Sequence, residues 1–270
     1  MKKFTAILLC LLLALSTATA FAAEKIVIGA TPLPHAMVLE FIKEDFEALG
    51  YELEIQVATD YYLFNPATAA GDTDANYFQH YPFLNAYNAE APEGEKLVAA
   101  FGVHYEPMGL FPGKSKSLDE IKKGTIIAVP NDSSNLTRSL LLVQEAGWIT
   151  LPEDAFEKGV TPAEIIDNPY EIEFWEMNSD LVPSSLEDAD YAVINGNHAI
   201  AAGFTSANDA LITEPVEGEA GKIYTNAVVV RPEDLDKQWV KDLQSLILTD
   251  KVKEFMENEP SFGGAVKPTF

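Results

Sequence analysis

Cysteine is nearly missing from this sequence: Cys10 is the only one in 270 residues. It lies within an apolar run, Phe4 to Leu15, that follows Lys2 and Lys3 and leads to Ala20-Phe21-Ala22, the A-x-A pattern of a cleaved leader. Cleavage near Ala23 would discard the cysteine. Its place mid-core, after Leu9 rather than after a small residue, argues against lipid attachment. A chain without cysteine has neither disulfides nor thiolate metal sites, so its stability must come from apolar burial. Long hydrophobic runs are scarce as well. The leader run falls short of the roughly 20 residues of a membrane-spanning helix, and no later segment reaches that length, so no transmembrane anchor is expected.

Basic residues are few, 18 Lys and Arg against 42 Asp and Glu, and removing the two leader lysines leaves 16 against 42, a formal charge of -26. Such a surface repels nucleic acid. A disordered acidic chain would be poor in apolar residues, whereas this one is 47% hydrophobic and 10% aromatic, so the charge reads as a solvated surface on a folded core. The acidic stretch from Glu90 to Glu95 lacks the ligand spacing of a calcium loop. Enzyme signatures are also absent. There is no G-x-S-x-G elbow and no zinc pattern, and His35, His104 and His198 are scattered without H-x-x-x-H spacing. No metal, cofactor or catalytic residue is expected, and ATP has no direct role in the chain. A secreted hydrolase acting on amino-acid derivatives is the rival of another class, but it lacks its nucleophile and its metal.

What is present is α/β patterning over about 248 residues (270 minus 22), enough for two domains. Lys25 to Gly29 reads as a buried strand, Pro34 to Leu49 as an amphipathic helix stopped by Gly50, and Tyr51 to Thr59 as an alternating strand. In open α/β sheets the loops at the carboxyl ends of strands face the ligand cleft, here Ala30 to His35 and Asp60 to Pro66. The pattern restarts at Thr125 to Val129, followed by the Pro130 to Asn135 loop and a helix from about Leu136 to Ala146. Further strands are expected at Glu171 to Glu176, Tyr191 to Asn195 and Ile223 to Val230, with a final helix around Gln238 to Met256. Two α/β lobes joined by crossing strands imply a hinge. The expected division is a leader at 1–22, one lobe from 23–108 plus 229–270, and a second from 109–228.

The stretch Asp74-Ala75-Asn76-Tyr77-Phe78-Gln79-His80-Tyr81-Pro82-Phe83-Leu84 resembles the D-A-N-x-F-Q-H-x-P-Y-L stretch of the NlpA/MetQ family, the methionine-binding components of ABC importers. Further matches follow in order: Gly29 to Pro32 with Pro34-His35-Ala36, Glu106 to Gly109, Val129 to Asp132, Val193 to Asn197 and Tyr224 to Asn226. Two stretches depart from the pattern. Phe83 stands where the family has Tyr, and Asp60 to Asn65 replaces D-Y-V-x-P-N. The resemblance implies a type II periplasmic-binding-protein fold with the ligand in the interlobe cleft. It also implies a periplasmic location, an ABC permease as partner and a methionine ligand, with another amino acid or a methionine-containing dipeptide as the alternative. A monomer is expected.

A free amino acid calls for a cation, several oxygen acceptors and a pocket matched to its side chain. Arg138, placed in the first turn of the helix after the Pro130 loop, suits the carboxylate, which it would grip through two parallel bonds with help from the helix N-terminus. Asn195 and Asn226 lie at or in strands, where their oxygens would accept from the ammonium; Asn197 reads as a turn or capping residue. By the resemblance, Tyr61, Phe78 and Phe83 form an aromatic cage, which suits a polarizable thioether, and His80 helps place the ligand backbone.

Overall fold

The computed structural model describes residues 23–205, 208–215 and 218–270. The expected leader, its cleavage site and Cys10 lie outside the described residues. The strands are β1 (Glu24–Ala30), β2 (Tyr51–Val57), β3 (Ala75–His80), β4 (Val98–Tyr105), β5 (Gly109–Pro112), β6 (Ile126–Pro130), β7 (Glu173–Met177), β8 (Tyr191–Ile194), β9 (Ile212–Thr213), β10 (Asn226–Val230) and β11 (Lys267–Pro268). They form two mixed sheets, one ordered β11-β4-β10-β3-β1-β2 and the other β7-β6-β8-β5-β9.

In each sheet the parallel strands form one end, where the sequence shows strand-helix-strand patterning. β1 pairs in parallel with β2 and β3, and β6 with β7 and β8. Ile26, Ile28 and Ala30 of β1 are buried in the first core, beneath Val38, Leu39, Ile42 and Phe46 of the helix Met37–Glu47. Full burial of such a side chain contributes about 1.5–3 kcal/mol. The same core takes Trp239, Val240, Leu243 and Ile247 from the helix Gln238–Ile247. The second sheet packs Ile127 and Val129 against Leu136, Leu140 and Val143 of the helix Ser133–Glu145. Among the described residues, no helix is long and apolar enough to cross a membrane.

Several boundaries differ from those expected. The helix after the Pro130 loop begins at Ser133, because the Asp132 side chain accepts from Asn135 N–H and caps it. Arg138 is therefore its sixth residue, in the second turn, away from the free N–H groups at the start. The expected last helix is two, Gln238–Ile247 and Asp250–Asn258, separated where Thr249 caps the second. The expected strand from Ile223 begins only at Asn226, after the short helix Glu219–Ile223. The whole of β10 belongs to the first sheet, so the chain returns to it between Thr213 and Asn226, ahead of the boundary expected at 229.

The outgoing crossover, between β4 and β5, carries Glu106, Pro107 and Met108. Just beyond β5, Gly113 packs against backbone: a Cβ there would lie 2.4 Å from Ala189 O and 3.0 Å from both Asp190 O and Leu186 O. Backbone cannot move aside as a side-chain tip can, so Gly113→Ala is expected to cost about 1–3 kcal/mol by overpacking. Urea unfolding of this variant beside Gly94→Ala, where a Cβ meets nothing within 4 Å, measures the difference; the control should be near neutral.

Candidate ligand-binding site

Between the two sheets lies a cavity lined by residues from both. The carboxyl end of β3 and the helix after it supply Phe78, Gln79, His80 and Phe83; the turn after β2 supplies Tyr61, and β10 supplies Asn226. From the second sheet come Asn135 and Arg138 on the helix Ser133–Glu145, and Asn195, Gly196 and Asn197 after β8. Glu106 joins them from the crossover. All seven residues singled out in the sequence, Tyr61, Phe78, His80, Phe83, Arg138, Asn195 and Asn226, thus meet in one place. The site also contains Asn135 and Glu106, which carried no expected role, and Asn197, which was expected only to cap or turn. The Asp132-Ser-Ser-Asn135 spacing of a capped helix start was the signal that could have placed Asn135 on an inward-facing first turn.

Arg138 is buried, and its guanidinium is held by Glu214: Nε donates to Oε1 at 2.6 Å and Nη2 to Oε2 at 2.5 Å, while Nη2 also donates to Glu106 O at 2.9 Å. The two-bond edge expected to grip a ligand carboxylate is therefore taken by protein. None of these three bonds uses Nη1. Burial works against the charge, but Glu214 outweighs it and holds the group protonated, with its pKa raised. The Tyr224 ring lies beneath the guanidinium, 4.1 Å from its carbon to the ring centroid.

The asparagines are each fixed at one end. Asn195 Nδ2 donates to Asn135 Oδ1 at 2.9 Å, and Asn195 Oδ1 is a buried acceptor with no protein partner. Asn226 differs from expectation: its oxygen is 3.1 Å from His35 Nε2, so the end available to the cavity is the amide nitrogen, a donor. His80 differs too, since both its nitrogens are engaged. Nδ1 accepts from Phe83 N–H at 3.2 Å, capping the helix Tyr81–Glu90, and Nε2 bonds Asn135 Oδ1 at 3.0 Å across the cavity. The imidazole joins the two lobes and leaves no free nitrogen for a ligand.

Tyr61, Phe78 and Phe83 are mutually packed, with centroids 5.5 to 5.8 Å apart and Phe83 edge-on to the other two. Phe64 extends the cluster from beneath Phe78. Tyr61 donates its hydroxyl to Asn197 Oδ1, a second bond between the lobes. Thr59 with Asp180 and Tyr62 with Asn131 make two more at the rim.

Two of the histidines expected to be scattered are not. His35 and His104 have ring centroids 4.9 Å apart, and their Nε2 atoms lie 3.6 and 2.6 Å from Glu106 Oε1. Their other nitrogens bond Thr31 Oγ1 and the Tyr77 hydroxyl. Every nitrogen of the pair thus has a hydrogen-bonding partner. His198 stacks on Tyr61.

Burial lowers the pKa of His35 to about 4 and those of His80, His104 and His198 to about 3. All four rings are neutral when folded but protonate near pH 6.5 once unfolded. Stability is therefore complete above about pH 6.5 and falls as the pH drops toward 4, by as much as roughly 1.4 kcal/mol per histidine per pH unit. Glu106, whose pKa burial raises, acts the other way but is one group against four. Thermal melts between pH 7.5 and 4.5 should show Tm falling on the acid side; a Tm that is flat or rises toward pH 5 contradicts the four neutral rings.

The model of the NlpA lipoprotein family matches residues 26–270. A Bacillus subtilis protein named methionine-binding lipoprotein MetQ is 33% identical over 91% of this chain and 88% of its own length. A Salmonella typhi protein named D-methionine-binding lipoprotein MetQ is 36% identical over 90% of this chain and 86% of its own. Among solved structures, a nutrient-binding protein of Burkholderia cenocepacia bound to methionine superposes with a TM-score of 0.83 at 34% identity, covering 91% of this chain and 100% of that one. With nearly all of its described length matched in sequence and in fold, the chain belongs to the NlpA lipoprotein family.

Proposed function

We propose that the protein is the solute-binding component of an ABC importer, taking free methionine into the cavity between its lobes outside the cytoplasm and presenting it to a permease. One observation carries the proposal: an aromatic trio, an arginine whose Nη1 is not used in its bonds to Glu214 and Glu106, and a buried amide oxygen without a partner converge on a single space between the lobes. These are the complements of a thioether, a carboxylate and an ammonium. The cavity lies between side chains of both sheets, with the aromatic trio on one side and Arg138 and Asn195 on the other. The methionine bound to the Burkholderia protein, and the printed names of the Bacillus and Salmonella relatives, point to the same ligand.

The lobes, 23–108 with 226–270 and 109–225, then act as two jaws. Ligand bound on one is enclosed by the other, and the cross-cleft pairs Tyr61–Asn197 and His80–Asn135 form on closure. Methionine shifts the open-closed equilibrium only by its extra contacts in the closed state. The chain acts as a monomer and performs no chemistry on its ligand.

The test is calorimetry on protein denatured and refolded to strip ligand, titrated with each common amino acid, with both enantiomers of methionine and with short methionine peptides. Methionine should bind most tightly, and a preference for a charged side chain would overturn the proposal. Arg138→Ala should weaken methionine binding by about 2–5 kcal/mol, as for removal of one side of a buried charged contact. A change below about threefold, some 0.7 kcal/mol, would reject its role.

A further inference from the structure

We propose that Glu106 is the charged acceptor for the ligand's α-ammonium group and makes the site selective for α-amino acids over their hydroxy and deamino analogues. The inference deepens the function proposed above and rests on the cavity being an amino-acid site.

Among the described residues that line the cavity, Glu106 is the only carboxylate and Arg138 the only permanent cation. The charge of Arg138 is already balanced by Glu214, so an arriving zwitterion meets one acid with no cationic partner of its own. The carboxylate is held without being saturated. His104 Nε2 bonds Oε1 at 2.6 Å. A carboxylate has about four lone-pair sites, so capacity remains. The Tyr77 hydroxyl, donating to His104 Nδ1, keeps the proton of that ring on Nε2, so His104 donates to Glu106 and fixes its orientation.

The fit on the ligand side is equally specific. An ammonium has three N–H groups, and Asn195 Oδ1 supplies one neutral acceptor. A carboxylate supplies a charge-assisted bond, roughly twice as strong as a neutral one. A hydroxyl in place of the ammonium would forfeit that charge term. The charged and titratable neighbours of Glu106 are His35, His104, Tyr61, Tyr77 and Arg138. Burial raises the Glu106 pKa against the pull of His35 and Arg138, and a bound ammonium would restore the ionised form. Gly196 allows the close approach: a Cβ there would lie 2.6 Å from Glu106 Cβ and 3.1 Å from Oε2.

Calorimetry with methionine, 2-hydroxy-4-(methylthio)butanoate and 4-(methylthio)butanoate tests the assignment on wild type and on Glu106→Gln, which keeps the shape and removes the charge. Wild type should prefer methionine over both analogues, and the variant should lose about 30-fold or more in methionine affinity while its affinity for the hydroxy analogue changes by less than about threefold. Equal losses for both ligands would make Glu106 a structural residue and overturn the inference, as would a wild type that binds the hydroxy analogue as tightly as methionine. Circular dichroism checks that the variant folds; if it does not, the wild-type comparison alone decides. Should another α-amino acid prove to be the ligand, methionine falls as the proposed solute, and the same test is run with that amino acid and its hydroxy acid. A protein that binds no α-amino acid overturns both.

Discussion

A guanidinium cannot shed its charge when it leaves water, so the burial of Arg138 obliges the surrounding chain to supply a counter-charge and enough acceptors. Glu214 meets most of that demand, and it does so from a segment just after β9 while the arginine sits on the helix Ser133–Glu145. The same carboxylate accepts from the Tyr105 hydroxyl and from Met108 N–H, at the end of β4 and in the crossover to β5. Three segments distant in sequence are therefore tied together where the chain passes from one sheet to the other. Removing one partner of such a pair strands a buried charge, at a typical cost of about 3–5 kcal/mol. Glu214 also decides which edge of Arg138 faces protein.

Apart from this fixed charge and the Glu106 carboxyl, the side chains lining the site are kept neutral. His80 is held unprotonated first by burial and then by the nearby Arg138, and its hydrogen bonds run to a backbone N–H and an amide oxygen. The Tyr61 phenol, whose pKa burial pushes far up, remains a donor to Asn197. A low-dielectric cavity with few mobile charges strengthens each electrostatic contact that a zwitterion makes in it. The aromatic trio lines the same space and contributes its own packing, about 0.5–1.5 kcal/mol per well-placed pair beyond area burial.

Much of the scaffold was legible because it depends on local pattern. The apolar alternation of Leu53 and Ile55, the periodicity of Val38, Ile42 and Phe46, and the stops at Gly50 and Gly147 all lie within one element and its neighbour. The side chains of the site could be picked out for the same reason, since a long contiguous stretch around Phe78 to Phe83 carried the resemblance. What could not be read was which end of each polar group would be used. Arg138 and Glu214 are 76 positions apart, and His35 and Asn226 are 191 apart; no periodicity links them. The role expected for the Asn226 oxygen failed on that point alone, and the two-bond grip of Arg138 on a carboxylate failed on the other. The histidine pair looked scattered because 69 positions separate its members (104 minus 35), though the β10 ladder brings Asn226 opposite both His80 and His104.

The polarity of the cavity can nevertheless be traced to a single residue that only accepts. The Asp132 carboxyl accepts from Asn135 N–H, so the Asn135 amide turns its nitrogen toward it as well, with bonds of 3.0 Å to both oxygens. The Asn135 oxygen then points the other way and can be met only by donors. They are His80 Nε2–H, whose other nitrogen is already accepting from Phe83 N–H, and Asn195 Nδ2. With its nitrogen committed, Asn195 is left to show an oxygen to the cavity, and rotating the amide would set oxygen against oxygen at Asn135. The acceptor offered to a ligand is thus fixed two residues away by a helix cap. The unpartnered acceptor at this point of the cavity is for this reason a property of the network and not of Asn195 alone.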